Sequence, residues 1–136
     1  MKKLFSGKKL IVSTINAAAG FPSPAENYIE ERLDLNKHLI KNIEATFFVR
    51  VCGESMMGVG IYDNDILVVD KGLSPSNKSI IVASLDGELV VKRFVKDQLG
   101  NCYLKSENVN YPKIKLSSEV DTIIWGVATY VIHNLL

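Results

Sequence analysis

The sequence predicts a mainly β protein: antiparallel strands forming a sheet or partly closed barrel, preceded by a flexible N-terminal arm and a short N-terminal helix. Three observations lead there. From Ala45 onward the chain is rich in β-branched and apolar runs, "TFFVRVC", "DILVVD", "SIIVASL", "ELVVKRFV", "CYLKS" and "TIIWGVATYVI", separated by turn residues. No helical segment of about 10 or more residues lies between them, so neighbouring strands pair mainly antiparallel. Tight turns are written into Asp63-Asn64-Asp65 and Asp86-Gly87, and the second joins two strands as a hairpin.

Residues 1–22 show no sustained period and read as a flexible arm. Ser23-Pro24-Ala25-Glu26 reads as a helix start: serine as N-cap, proline at the first helical position, glutamate three residues after the cap. Tyr28, Ile29, Arg32 and Leu33 continue a short helical pattern, and Asp34 caps a further turn carrying Leu35, Leu39 and Ile40. The β runs follow. The expected organisation is an arm, 1–22, and one domain, 23–136, with no internal repeat and no low-complexity tract.

Composition narrows the function classes. Apolar residues make up 47% of the chain and charged residues 23%, the balance of a soluble globular protein. No apolar run approaches the roughly 18 residues of a membrane-spanning helix. A net charge of +1 argues against a domain built to neutralise phosphates. The charge is unevenly spread. Lys2, Lys3, Lys8 and Lys9 lie within the first 19 residues, which hold no acidic residue; the remainder keeps 12 of the 16 basic residues against all 15 acidic ones, a net −3. Cys52 and Cys102 are too few for a disulfide framework and lack metal-ligand spacing. Each sits in an apolar run and reads as a small buried hydrophobe in a reducing compartment.

One stretch has a composition of its own. "AAAGFPSPAENY", residues 17–28, is a slim peptide with little side-chain bulk near its start. It suits a linker, the end of a signal peptide, or a site meant to be cut. The signal-peptide reading fails on "LIVSTI", which Ser13 and Thr14 break well short of the roughly 7–15 apolar residues an export signal needs.

The residues able to carry chemistry lie further on. Gly53-Glu54-Ser55-Met56 follows the strand "TFFVRVC", and glycine lets the backbone turn sharply so that the next residues project at a strand end. Ser55 is then either a turn residue or a nucleophile, and the tetrapeptide leaves both open. It is not the hydrolase elbow, because Met57 stands where that motif needs glycine. The backbone N–H groups of Glu54 and Ser55 would serve as oxyanion donors if the turn points them inward.

A serine nucleophile needs a base. His38 and His133 have no distinctive context. Lys92 is the better candidate, since alternation along "ELVVKRFV" puts Val90, Lys92 and Phe94 on one face and Leu89, Val91, Arg93 and Val95 on the other. Desolvation among apolar neighbours lowers an amine's pKa, and a fall of about 3 units leaves lysine substantially neutral near pH 7.5. A lysine that snorkels its amine to solvent from an edge strand fits the same pattern. Asp63, Asp65 and Asp70 lack the glycine and glutamate of a calcium loop, so "DNDILVVD" reads as a β-turn and strand, with no metal site and no cofactor expected.

Taken together these residues resemble the UmuD branch of the LexA-type (S24) self-cleaving serine peptidases, over nearly the whole chain from Ala18 onward. "AGFPSPAENYIEERLDLN" resembles that family's cleavage segment and first helix, "GESMMGVGIYDNDILVVD" its nucleophile motif and "DGELVVKRF" its lysine strand. Ser55 and Lys92 stand 37 residues apart, the spacing the family uses. The resemblance implies a LexA-like peptidase fold, Ser55 as nucleophile, Lys92 as general base, Ala19-Gly20 as the scissile pair and Met56 as a structural neighbour of the nucleophile. Ala19 stands where the best-known UmuD-type proteins have cysteine, and LexA-type relatives use the same Ala-Gly pair. Asn64 stands where a glycine is common and tolerates positive φ.

The resemblance further implies a cytoplasmic homodimer whose cut is favoured by a RecA filament on single-stranded DNA. The shortened dimer then joins a UmuC-like Y-family polymerase for error-prone translesion synthesis in the SOS response. The acidic remainder argues against direct sequence-specific DNA binding. Two alternatives stand beside this: a non-catalytic dimeric binding module for a polymerase or RecA filament, and a phage-type repressor or antirepressor remnant.

Overall fold

The computed structural model describes residues 11–14 and 31–136. The chain divides into two compact units, residues 1–41 and 42–136. In the first, strand β1 (Ile11–Thr14) pairs antiparallel with β2 (Glu31–Asp34), Ile11 opposite Asp34. Helix α1 (Leu35–Leu39) follows directly, and the Asp34 carboxylate caps it by accepting from the backbone N–H groups of Asn36 and Lys37 at 3.1 and 3.4 Å.

The cap on Asp34 is as the sequence predicts, but the segments before it are not. Arg32 and Leu33, expected in a helix, lie in β2, and Ile11–Thr14, within the supposedly aperiodic arm, forms β1. Four residues are too few for a period to decide helix against strand, and pairing with the β-branched "IVST" supplies the ladder. The helix start at Ser23 and the boundary between residues 22 and 23 lie outside the described residues.

The second unit is a seven-stranded sheet: β3 (Thr46–Arg50), β4 (Ile66–Asp70), β5 (Ile80–Leu85), β6 (Glu88–Lys96), β7 (Cys102–Lys105), β8 (Ile114–Lys115) and β9 (Thr122–Ile132). Its order is β3-β4-β9-β5-β6-β7-β8 with every pairing antiparallel, an open sheet as the β runs predict. The two-residue β8 has no sequence signature. The hairpin between β5 and β6 turns on Asp86 and Gly87, both with positive φ, 49° and 85°, the pattern that matches a two-residue turn to strand twist.

Strand β9 is central, pairing with β4 through its second half and β5 through its first, with a register shift in each ladder. Gly126 sits at this crossing, where a Cβ would come within 2.8 Å of the Val69 side chain and 2.9 Å of the Asp70 carbonyl oxygen. Each face of the sheet carries an apolar cluster. Alternation on β5 sends Val82 to a cluster with Val51, Met56, Ile61, Leu67 and Val69, and sends Ile81 and Ala83 to another with Phe94 and Leu104.

Candidate active site

Both candidate chemical residues belong to the second unit. Strand β3 ends at Arg50, and the chain does not return to the sheet until Ile66. Between them the backbone stays tied to itself: Val51 N–H donates to the Asp65 carbonyl and Asn64 N–H to the Val51 carbonyl, both at 2.8 Å. Gly53 has φ +95°, a region open chiefly to glycine, and its N–H donates to the Asp63 carboxylate at 2.8 Å. The next residues turn into a single 3-10 turn, Met57–Val59. Met56, 1% exposed, anchors this turn in the core while Ser55 stays partly exposed.

Lys92 is positioned differently, by regular pairing. It lies in the middle of β6, opposite Ile81 of β5, on the face of Val90 and Phe94. The alternation read from the sequence is therefore the alternation of the sheet. Ser55 and Lys92 line the same cleft of about 330 Å³, with Val49, Val51, Cys52 and Leu89 among its other walls. Burial lowers the Lys92 pKa from the 10.5 of an ordinary lysine. Its Nζ donates to Ser106 Oγ at 2.6 Å and lies 5.4 Å from the centre of the Tyr111 ring.

A segment that sequence reasoning missed connects the two. The chain leaving β7 carries Ser106, Glu107 and Asn108 past the Ser55 turn. Glu107 N–H donates to the Ser55 carbonyl at 2.8 Å, Gly58 N–H donates to the Glu107 carbonyl at 3.1 Å, and the Asn108 side-chain amide donates to the Glu54 carbonyl at 3.2 Å. A Cβ on Gly58 would collide with the Glu107 carbonyl oxygen. Glu107 is itself held by an ion pair with Arg93, whose other arm donates to the Lys78 carbonyl at 2.6 Å. Its only sequence signal is the polar run "KSENVN" directly after a strand.

These contacts bear on the oxyanion donors. In a trans peptide the N–H of Ser55 points opposite to the Glu54 carbonyl, which Met57 N–H and Asn108 both restrain. The direction of the Ser55 N–H is thereby fixed before any substrate arrives. Ala19 and Gly20 lie outside the described residues.

Asp63, Asn64 and Asp65 form the predicted turn, Asn64 with φ 74°. Asp65 is 2% exposed; burial alone would raise its pKa, but the Tyr62 N–H and His133 outweigh that and leave it below the ordinary 3.8. His133 thus holds a carboxylate at 2.5 Å, and His38 sits in α1. Among the described residues no cluster of His, Cys, Asp or Glu is arranged to hold a metal, and no helix is long and apolar enough to cross a membrane. Cys52 corrects an expectation. It is exposed rather than buried, because the ladder stops at Arg50 and Cys52 falls on the wall of the cleft; Cys102 is partly buried.

Comparison with known proteins agrees with this architecture. Residues 9–129 match the Peptidase S24-like family. Protein SamA of Salmonella typhimurium is 43% identical over 122 residues, 89% of this chain and 83% of that protein. Protein ImpA of Salmonella typhimurium is 41% identical over 116 residues, 85% of this chain and 78% of that protein. The LexA repressor of Shewanella denitrificans is 37% identical over 119 residues, 86% of this chain but 57% of the repressor. The chain belongs to the S24 family of self-cleaving serine peptidases and, within it, to the UmuD-type SOS-mutagenesis proteins.

Proposed function

We propose that Ser55 is the nucleophile and Lys92 the general base of a self-cleavage reaction at Ala19-Gly20. The observation that carries the reading is the shared cleft, lined by both a partly exposed Ser55 and a desolvated Lys92. Neutral Lys92 takes the proton of Ser55 as Oγ attacks the Ala19 carbonyl. The ammonium then returns that proton to the departing nitrogen of Gly20, and water hydrolyses the Ala19 ester on Ser55. The backbone N–H groups of Glu54 and Ser55 stabilise the oxyanion, the second with its direction already fixed. The alanines and glycine around the bond let a slim strand enter the cleft. Substrate and catalyst share one molecule or one dimer, so the rate depends on docking rather than on diffusion of a separate substrate.

Residues 1–22 act as the arm and 23–136 as the peptidase domain of a cytoplasmic homodimer. A RecA filament on single-stranded DNA favours the docked arm, and the shortened chain, net −3, serves, as a dimer, a UmuC-like Y-family polymerase rather than DNA directly. Exposed Ile123 and Trp125 on β9 supply apolar surface of the kind such contacts use. Incubation of the full chain with RecA, single-stranded DNA and ATP tests this. A new N-terminus at Gly20 in the wild type, absent in Ser55→Ala, supports the reading. A cut at another bond, or one that survives Ser55→Ala, contradicts it.

A further inference from the structure

The register of the sheet places Ser106 beside Lys92 for a reason that can be traced. Strands β6 and β7 pair with Arg93 opposite Lys105, so the next position along, Ser106, falls opposite Lys92 just where β7 ends. Ser106 is 4% exposed, and its hydroxyl lies 2.6 Å from the Lys92 amine. The residue after it is bonded through its backbone to Ser55 and Gly58. One short segment therefore touches the amine with a side chain and the nucleophile turn with its backbone.

We propose that Ser106 is a positioning residue that orients the Lys92 amine toward Ser55. The inference rests on the Ser55–Lys92 reading and deepens it. A neutral amine has two N–H bonds and one lone pair, and only the lone pair can receive the serine proton. Free rotation about Cε–Nζ would spread that lone pair over directions that do no chemistry. By accepting one N–H, Ser106 Oγ removes most of that freedom and leaves the lone pair for the cleft. The same acceptor also holds the ammonium, through a stronger, charge-assisted bond. The other ionisable or charged groups near the amine have their own places. Tyr111 presents its ring face, Glu107 is paired with Arg93, and Arg50 donates to Asn64, while Cys52 lines the cleft wall.

The test compares full-length wild type, Ser106→Ala, Ser106→Thr, Lys92→Ala and Ser55→Ala by intact mass over time between about pH 7 and 11, a span bracketing an ordinary lysine. Ser106→Ala should slow self-cleavage about tenfold on the alkaline plateau. It should also move the pH–rate midpoint downward, since the lost bond favoured the ammonium. Ser106→Thr, which keeps the hydroxyl, should recover most of the rate. A merely structural serine would leave the midpoint in place. Wild-type rate and midpoint in Ser106→Ala, or equal losses in the alanine and threonine variants, would overturn the positioning role while inactive Lys92→Ala leaves the dyad standing. Undiminished cleavage in Lys92→Ala would overturn the dyad, and the positioning role with it.

Discussion

The nucleophile turn and the lysine strand solve the same problem, fixing one side chain in a cleft, by opposite means. Lys92 is held by repetition: β6 pairs with β5 from Glu88 to Arg93, and the pleat alone decides which face the amine takes. Ser55 is held by exception. Its turn needs a glycine at positive φ, a carboxylate ten residues away, a methionine sunk in the core, and three hydrogen bonds from a segment about fifty residues downstream. A ladder tolerates many sequences of the right pattern. An irregular turn depends on particular atoms, so single changes there should cost more than changes of equal size on β6.

Gly58→Ala should strike the turn hardest. The new Cβ runs into the Glu107 carbonyl, so the Gly58–Glu107 bond must break and the turn must shift. Thermal or urea unfolding should show a loss of about 2–3 kcal/mol, with self-cleavage falling further than stability alone explains. An Ala variant as stable and as active as wild type would mean that the downstream segment does not hold the turn.

Asn108→Ala removes two solvent-exposed hydrogen bonds, one donated to the Glu54 carbonyl and one accepted from the Asn110 N–H. A loss of about 0.5–1 kcal/mol and a few-fold slower cleavage are expected. Cleavage slower than that would give Asn108 a larger share in aiming the Ser55 N–H than its bond to Glu54 implies.

The smallest effect concerns acid. The Asp65 carboxyl sits below its ordinary 3.8, so it contributes stability that is present above that value and is lost as pH falls through its folded pKa. His133→Ala removes one of the contacts that lower it. The variant's stability deficit should therefore be larger near neutrality than at an acid pH below the folded pKa of Asp65, where protonation of Asp65 removes the contribution from both proteins. Equal deficits at both pH values would remove Asp65 from the acid response.

The same contrast explains what the sequence revealed. Strand runs, the Asp86-Gly87 hairpin, the Asp34 cap and the face of Lys92 rest on local chemistry or on period two, and all were legible. Ser106, Glu107 and Asn108 were not, because their roles arise from contacts with residues 14 to 54 positions away in the chain. Cys52 misled for a related reason. Its apolar run predicts burial, but the ladder ends two residues earlier and the side chain emerges on the cleft wall. Strands β1 and β2 escaped because each is four residues long, and only pairing makes them strands.

The central claim is that a desolvated Lys92 activates Ser55. The most direct measurement is intact-mass spectrometry of the purified chain after incubation at about pH 10 with no activator, where even a modestly depressed lysine is largely neutral. Wild type should lose residues 1–19, with a rate that rises with pH to a midpoint below 10.5, while Ser55→Ala and Lys92→Ala, folded by circular dichroism, stay intact. A folded wild-type chain that remains whole at that pH, or a Lys92→Ala chain that is cut like wild type, would contradict the account.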